Sequence, residues 1–153
     1  MRKEGQNPRG GAHRDRSAAR VQAVQLLYQS QFTGMSAGDI ADSWPTVREV
    51  GAPLEFAKML LQGVNEHMGE LDEMINDVSA HWQIDRMPLV DLNILRVAAY
   101  EMKYVDDVPI SVSINEAVEL AKGFGGEDES PKFINGVLGR IATILEEDDN
   151  VGK

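Results

Sequence analysis

The spacing of the apolar residues is the feature that most constrains the fold. These residues recur at intervals of three and four along most of the chain. Such spacing is typical of helices with one buried face, whereas a half-buried strand alternates with a period of two. No segment of the sequence alternates for long enough to indicate a strand. The pattern therefore predicts an all-α fold of about seven helices.

The clearest helical pattern lies near the C-terminus. Ser130 and Pro131 precede a long apolar stripe, and serine is favoured at an N-cap while proline is tolerated in a first turn. The stripe consists of Ile134, Val137, Leu138, Ile141, Ile144 and Leu145. We expect Val137 and Leu138, in its middle, to lie in the hydrophobic core.

Two further helices have recognisable limits. The first helical run extends from about His13 to Phe32, and Gly34 follows it as a terminator. Ser113 and Glu116 have the S-x-x-E spacing of a capping box, which predicts that another helix begins at Ser113.

Length and composition bound the organisation and the class of protein. The 153 residues match one ordinary domain. We expect a disordered basic arm over 1–12, a helical domain over 13–147 and a disordered tail over 148–153. The absence of cysteine excludes disulfide scaffolds, cysteine-ligated metal sites and a thiol nucleophile. With no long apolar run and no signal-peptide pattern, a cytoplasmic protein without a membrane partner is expected.

Charge is distributed unevenly along the chain. The first 20 residues carry six basic and two acidic side chains, a balance of +4, and the remaining 133 carry nine basic and 23 acidic ones, a balance of −14. A basic arm on an acidic body is typical of proteins that contact a polyanion. The alternative is a solvated N-terminus whose charge is incidental.

Catalytic and metal-binding patterns are missing from the sequence. His13, His67 and His81 are scattered, and none has a second ligand at metal-binding spacing on a common face. Neither a nucleophile elbow nor a phosphate-binding loop occurs. Paired carboxylates on amphipathic helices are typical of solvated faces. We therefore expect no enzyme activity, no metal and no cofactor.

Two groups of residues could instead bind nucleic acid. Arg16 and Arg20 are four residues apart and share a helix face, with Tyr28 further along the same helix. Lys132 and Phe133 lie at the start of the last helix, with Phe133 at the margin of the apolar stripe. Guanidinium groups bind phosphates, and an aromatic ring stacks on an unpaired base, which favours single-stranded RNA. Alternatively, Tyr28 lies at the edge of the core, and the Phe133 ring folds back over the preceding loop.

Four segments of the chain are recognisable as motifs: Ala23–Gln29, Leu95–Glu101, Val108–Lys122 and Lys132–Leu138. Together, and in this order, they resemble the NusB family of bacterial transcription antitermination factors. The resemblance covers about residues 14–145. It implies a fold of two packed helical bundles and a protein without enzyme activity.

The resemblance also implies partners. Such proteins pair with NusE, a small-subunit ribosomal protein that also acts in transcription, and the pair binds the boxA element of nascent RNA. This assembles an antitermination complex on RNA polymerase, chiefly during ribosomal RNA synthesis. The family's RNA face corresponds here to Arg16, Arg20, Tyr28, Lys132, Phe133 and an acidic residue before the last helix. We assign the acidic position to Asp128, with Glu129 as an interchangeable candidate because the loop varies in length among such proteins. The partner face corresponds to the helix Pro88–Tyr104, with Asp91 as a candidate contact.

Two alternatives belong to other classes. The same helical domain forms the N-terminal part of an rRNA cytosine methyltransferase, but that enzyme needs a methyl-donor domain and a catalytic cysteine that this chain lacks. An acidic helical interaction protein without a nucleic-acid role would leave the basic arm and Phe133 unexplained. The sequence leaves open whether the chain is a monomer or a homodimer.

Overall fold

The computed structural model describes residues 8–36, 39, 55–79, 84–124 and 129–151. In these ranges it contains six α-helices and one 3-10 turn, Ile84–Arg86, and the prediction of an all-α fold is confirmed. The helices are α1 (Pro8–Thr33), α2 (Glu55–Glu66), α3 (Met68–Val78), α4 (Leu89–Tyr104), α5 (Ile110–Gly123) and α6 (Ser130–Val151). The chain divides into two compact units, Met1–Leu61 and Gln62–Lys153.

Helix α1 is the main element of the first unit and begins earlier than predicted. It starts at Pro8, so residues 8–12 of the expected disordered arm are helical, and residues 1–7 lie outside the described part. Proline is accepted at this position because the first helical N–H has no partner within the helix. After Thr33, Gly34 adopts a φ of 77° and donates its N–H to the Ser30 carbonyl at 3.1 Å. Glycine reaches this left-handed conformation without a steric penalty, so it ends the helix as predicted.

Helix α4 lies at the centre of the second unit. Helices α3, α5 and α6 all pack against it, and between Asp91 and Met102 every residue except the half-buried Tyr100 is buried. A helix enclosed on all sides belongs to the core, so its polar side chains require partners within the protein.

One such partner network joins α4 to α3. The Arg96 guanidinium donates two hydrogen bonds to the Asp72 carboxylate, at 2.7 and 2.9 Å, and a third to Asn93 Oδ1 at 3.1 Å. This two-point geometry matches the planar guanidinium to the carboxylate. These three hydrogen bonds compensate for the lost hydration of the buried Arg96 guanidinium.

A second network joins α4 to α5 and corrects the capping-box prediction. Helix α5 begins at Ile110, directly after Pro109, so Ser113 lies inside the helix and not at its N-cap. The Ser113 hydroxyl instead donates to Glu101 Oε1 at 2.5 Å, and both side chains are buried. The serine satisfies a buried carboxylate on α4, which no local sequence pattern indicates.

The apolar stripe of α6 faces the core as predicted. Ile134, Val137, Leu138 and Ile141 are fully buried, and Leu145 is buried near the end of the stripe. Ile144, the remaining member, is half-buried.

An aromatic and charged cluster joins α2, α3 and α4 at the surface of the second unit. The His67 ring stacks on Tyr104 with 4.3 Å between centroids, and Tyr100 lies beside Tyr104 at 5.2 Å. Gly63 on α2 makes room for this arrangement, since a Cβ there would lie 2.0 Å from the Tyr100 ring. Glu70 completes the cluster by accepting hydrogen bonds from Lys103 and from the Tyr104 hydroxyl, the latter at 2.6 Å.

Glu70→Gln is expected to make folding stability less sensitive to acid. Hydrogen bonds from Lys103 and then Tyr104 lower the Glu70 pKa from 4.5 to about 2 in the folded chain. Because the unfolded chain binds this proton more readily, the carboxylate stabilises the fold above about pH 4.5, and that contribution is lost as pH falls through about 2. The side chain is partly exposed, so solvent reduces the effect.

Urea melts between pH 2 and 7 measure this effect. The parent should lose more stability on acidification than Glu70→Gln. Glu119→Gln serves as a control because it removes an exposed carboxylate paired with Lys122 on one helix. Equal pH dependence in the parent and in Glu70→Gln would contradict the assignment.

Candidate nucleic-acid interface

The two arginines of α1 have different environments, although they share one face of the helix. Their guanidinium carbons lie 4.5 Å (Arg16) and 5.5 Å (Arg20) from the centroid of the Phe56 ring. Arg16 is half-buried, whereas Arg20 is only 3% exposed. The expectation that both present guanidinium groups to solvent is therefore wrong for Arg20. Cation–π packing on Phe56 is one contact that favours the inward position of this charged side chain.

Tyr28 belongs to an exposed apolar group at the C-terminal end of α1. It is 38% exposed, and its ring lies 4.8 Å from that of Phe32, which is 69% exposed. Met35 is exposed just beyond the helix. Tyr28 is thus accessible to a ligand and is not enclosed in the core. Sequence reasoning missed Phe32 and Met35, although the position of Phe32 off the apolar face of α1 was an available signal.

The first turn of α6 carries the second group of candidates. Lys132 is exposed and Phe133 is half-buried, and the Phe133 N–H donates to the Glu129 carbonyl at 2.9 Å. Asp128, one of the two acidic candidates, lies outside the described residues, whereas Glu129 is described and exposed. A cation and an aromatic ring therefore occupy consecutive positions at the start of a helix.

Ser130 does not act as the predicted N-cap of α6. It is the first helical residue and is 4% exposed, and its hydroxyl donates to Asp91 Oδ2 at 2.9 Å. Asp91, the candidate partner contact, is itself 5% exposed. Its carboxylate is used within the chain, so the expectation of a partner-facing Asp91 is corrected.

The partner face on α4 is correspondingly restricted. Most of this helix is buried, and apart from the half-buried Tyr100 its accessible positions lie at its two ends. Leu89 and Val90 are half-buried in the first turn, and Lys103 and Tyr104 are exposed in the last. Lys103 and Tyr104 are already bonded to Glu70, which leaves the first turn as the better candidate for contact with another protein.

The candidates fall in both units. Arg16, Arg20 and Tyr28 belong to the first, and Lys132, Phe133 and Glu129 to the second. Their chemistry suits phosphate binding and base stacking. Among the residues that the structure describes, no three His, Asp or Glu side chains are grouped as metal ligands. Nor does any helix in those residues have the length and apolar character needed to cross a membrane.

Comparison with known proteins decides the family. A family model described as "NusB family" matches residues 17–143. The chain belongs to the NusB family. Lys132 and Phe133 lie within the matched range, whereas Arg16 lies just before it.

Individual NusB proteins are similar over nearly their whole length. The transcription antitermination protein NusB of Myxococcus xanthus (strain DK1622) is 42% identical over 135 residues, which is 85% of this chain and 96% of that protein. NusB of Bacillus subtilis (strain 168) is 42% identical over 132 residues, covering 86% of this chain and 98% of that protein.

Solved NusB structures share the fold. T. maritima NusB superposes with a TM-score of 0.74 at 33% identity and covers 84% of this chain and 90% of that one. A crystal structure of the antitermination factors NusB and NusE in complex with dsRNA gives a TM-score of 0.75 at 27% identity, covering 86% of this chain and 98% of that one. These similarities confirm the family resemblance seen in the sequence.

Proposed function

We propose that this chain is a transcription antitermination factor that binds boxA RNA together with NusE and supports processive transcription of ribosomal RNA. In this role it is a non-catalytic RNA-binding subunit of an antitermination complex on RNA polymerase, and it acts in the cytoplasm without a cofactor. The observation that carries the proposal is the similarity, over 98% of the matched chain, to NusB in the solved complex of NusB and NusE with dsRNA. The names of the curated relatives support the same role.

The RNA contacts are assigned to side chains that solvent reaches. Lys132 supplies a cation and Phe133 a stacking ring on the first turn of α6. On α1, Arg16 and Tyr28 are the remaining candidates, and Arg20 packs on the same Phe56 ring as Arg16. Base stacking requires unpaired bases, so the proposed ligand is single-stranded RNA.

NusE is assigned to the first turn of α4. Leu89 and Val90 are half-buried there and follow the exposed Pro88. The centre of a protein interface is richer in apolar side chains than its rim, and Leu89 and Val90 could form such a centre. The chain is acidic overall, with a net charge of −10, so it attracts RNA only through local basic groups. We expect NusE to offset the repulsion between this negative charge and the RNA.

Salt dependence of RNA binding tests the proposal. Fluorescence anisotropy is measured with labelled single-stranded boxA and with the same sequence as a duplex, each with and without NusE. Each phosphate neutralised on a single strand contributes about −0.7 to the slope of log K against log salt, so Arg16 and Lys132 predict a slope of about −1.4 for the chain alone. NusE should raise the affinity and steepen the slope.

Lys132→Gln is expected to flatten this slope by about 0.7, because one phosphate contact is lost. Lys58→Gln is the matched control, since Lys58 is an exposed lysine of α2 that pairs with Glu55 and has no assigned RNA contact. A parent that binds neither RNA with NusE present would refute the proposed function. Equal slopes for both variants would remove Lys132 from the RNA face.

A further inference from the structure

A buried hydrogen bond connects the helix assigned to NusE with the helix assigned to RNA. Asp91 lies in the first turn of α4, and Ser130 is the first residue of α6. The Ser130 hydroxyl donates to Asp91 Oδ2 at 2.9 Å, and both residues are buried. The bond joins residues 39 positions apart in the sequence, so it is a tertiary contact.

The Ser130–Asp91 hydrogen bond stabilises the first turn of α6, which is the part of a helix that frays most easily. The first turn of a helix has N–H groups without partners inside the helix, and it frays easily. A serine at this position would ordinarily cap its own helix, but here its hydroxyl is directed to another helix. A hydrogen bond to a carboxylate is stronger than one between neutral groups, particularly when water is excluded. The start of α6 is therefore held by α4.

We propose that Asp91 and Ser130 are positioning residues for RNA binding. They fix the first turn of α6 and so hold Lys132 and Phe133, two and three residues further on, in the orientation that meets the RNA. This inference rests on the proposed function. A ring held in place before binding loses less conformational freedom when a base stacks on it, which raises affinity. Neither positioning residue touches the RNA itself.

The chain contains a matched pair that separates positioning from general stability. Ser113 on α5 donates to Glu101 near the other end of α4, with both groups buried as in the Ser130–Asp91 pair. Each pair joins a serine in an early turn of a helix to a carboxylate on α4. Only Ser130 lies next to the residues assigned to RNA.

The experiment compares Ser130→Ala, Ser113→Ala and the parent chain. Thermal melts, NusE affinity and affinity for single-stranded boxA with NusE bound are measured for each. Both variants should melt at a lower temperature, and both should retain NusE binding. Ser130→Ala should weaken RNA binding about tenfold, the change expected from about 1.4 kcal/mol, while Ser113→Ala should stay within about twofold. Asp91→Asn, made in the parent chain, keeps an acceptor oxygen for Ser130 and should bind RNA within about threefold of the parent.

Amide hydrogen exchange supplies a readout without RNA. In Ser130→Ala the Phe133 amide should exchange faster than in the parent, and in Ser113→Ala it should not. Equal losses of RNA affinity in the two serine variants, or unchanged affinity in Ser130→Ala, would overturn the positioning role. A parent that fails to bind RNA would refute the proposed function. In that case, faster exchange in Ser130→Ala would show that the Asp91–Ser130 bond stabilises the start of α6 without a role in RNA binding.

Discussion

Val137→Asp is expected to unfold the second unit. Val137 is 0% exposed in the middle of the buried stripe of α6, between Ile134 and Ile141. A carboxylate placed there has no cation to pair with on the apolar stripe and must lose its hydration, which costs several kcal/mol. A domain of this size has a total stability of about 5–15 kcal/mol, so such a loss removes most of it. Leu138→Asp, at an equally buried neighbour, should have the same result.

Asn135→Asp is the matched control for this prediction. It introduces the same charge on the same helix, two residues from Val137, but at an exposed position. Far-ultraviolet circular dichroism and urea melts compare the parent with the Val137→Asp, Leu138→Asp and Asn135→Asp variants. Asn135→Asp should remain within a few tenths of a kcal/mol of the parent, as is usual for surface substitutions. A Val137→Asp chain that melts close to this control would show that the stripe does not face the core.

Phe133→Ala is expected to weaken binding of single-stranded boxA by about 1–3 kcal/mol, the usual contribution of one base–aromatic stack. This corresponds to a loss of affinity of roughly 5-fold to 150-fold. The half-buried ring lies beside the exposed Lys132, so we expect the variant to keep its helical content. The measurement is RNA affinity by anisotropy with NusE present, alongside a thermal melt.

Two further substitutions distinguish stacking from packing. Phe133→Leu keeps a large apolar side chain but removes the aromatic face, so it should lose RNA affinity while retaining stability. Phe133→Trp keeps an aromatic face and should bind RNA nearly as well as the parent. If Phe133→Ala loses its helical signal, the ring belongs to the core. If it binds RNA like the parent, another residue supplies the stack.

The sequence determined the helical class, the apolar face of α6 and the family. These properties depend on local spacing: a buried helix face repeats every three to four residues, and the family motifs are contiguous segments. Val137 and Leu138 were therefore identifiable as core without any structure. The end of α1 at Gly34 was equally predictable because one residue type suits that backbone conformation.

The tertiary structure decided the environments of the polar groups. Arg20 packs against Phe56, Ser113 bonds to Glu101 and Ser130 bonds to Asp91, and in each case the sequence had favoured a solvent-facing or capping role. The same is true of α4, which the family resemblance assigned to the partner face although the helix is enclosed by three others. Serine, aspartate and arginine can be satisfied by water, by their own helix or by a distant helix. Which of these occurs depends on contacts between residues 12 to 39 positions apart, which local spacing does not encode.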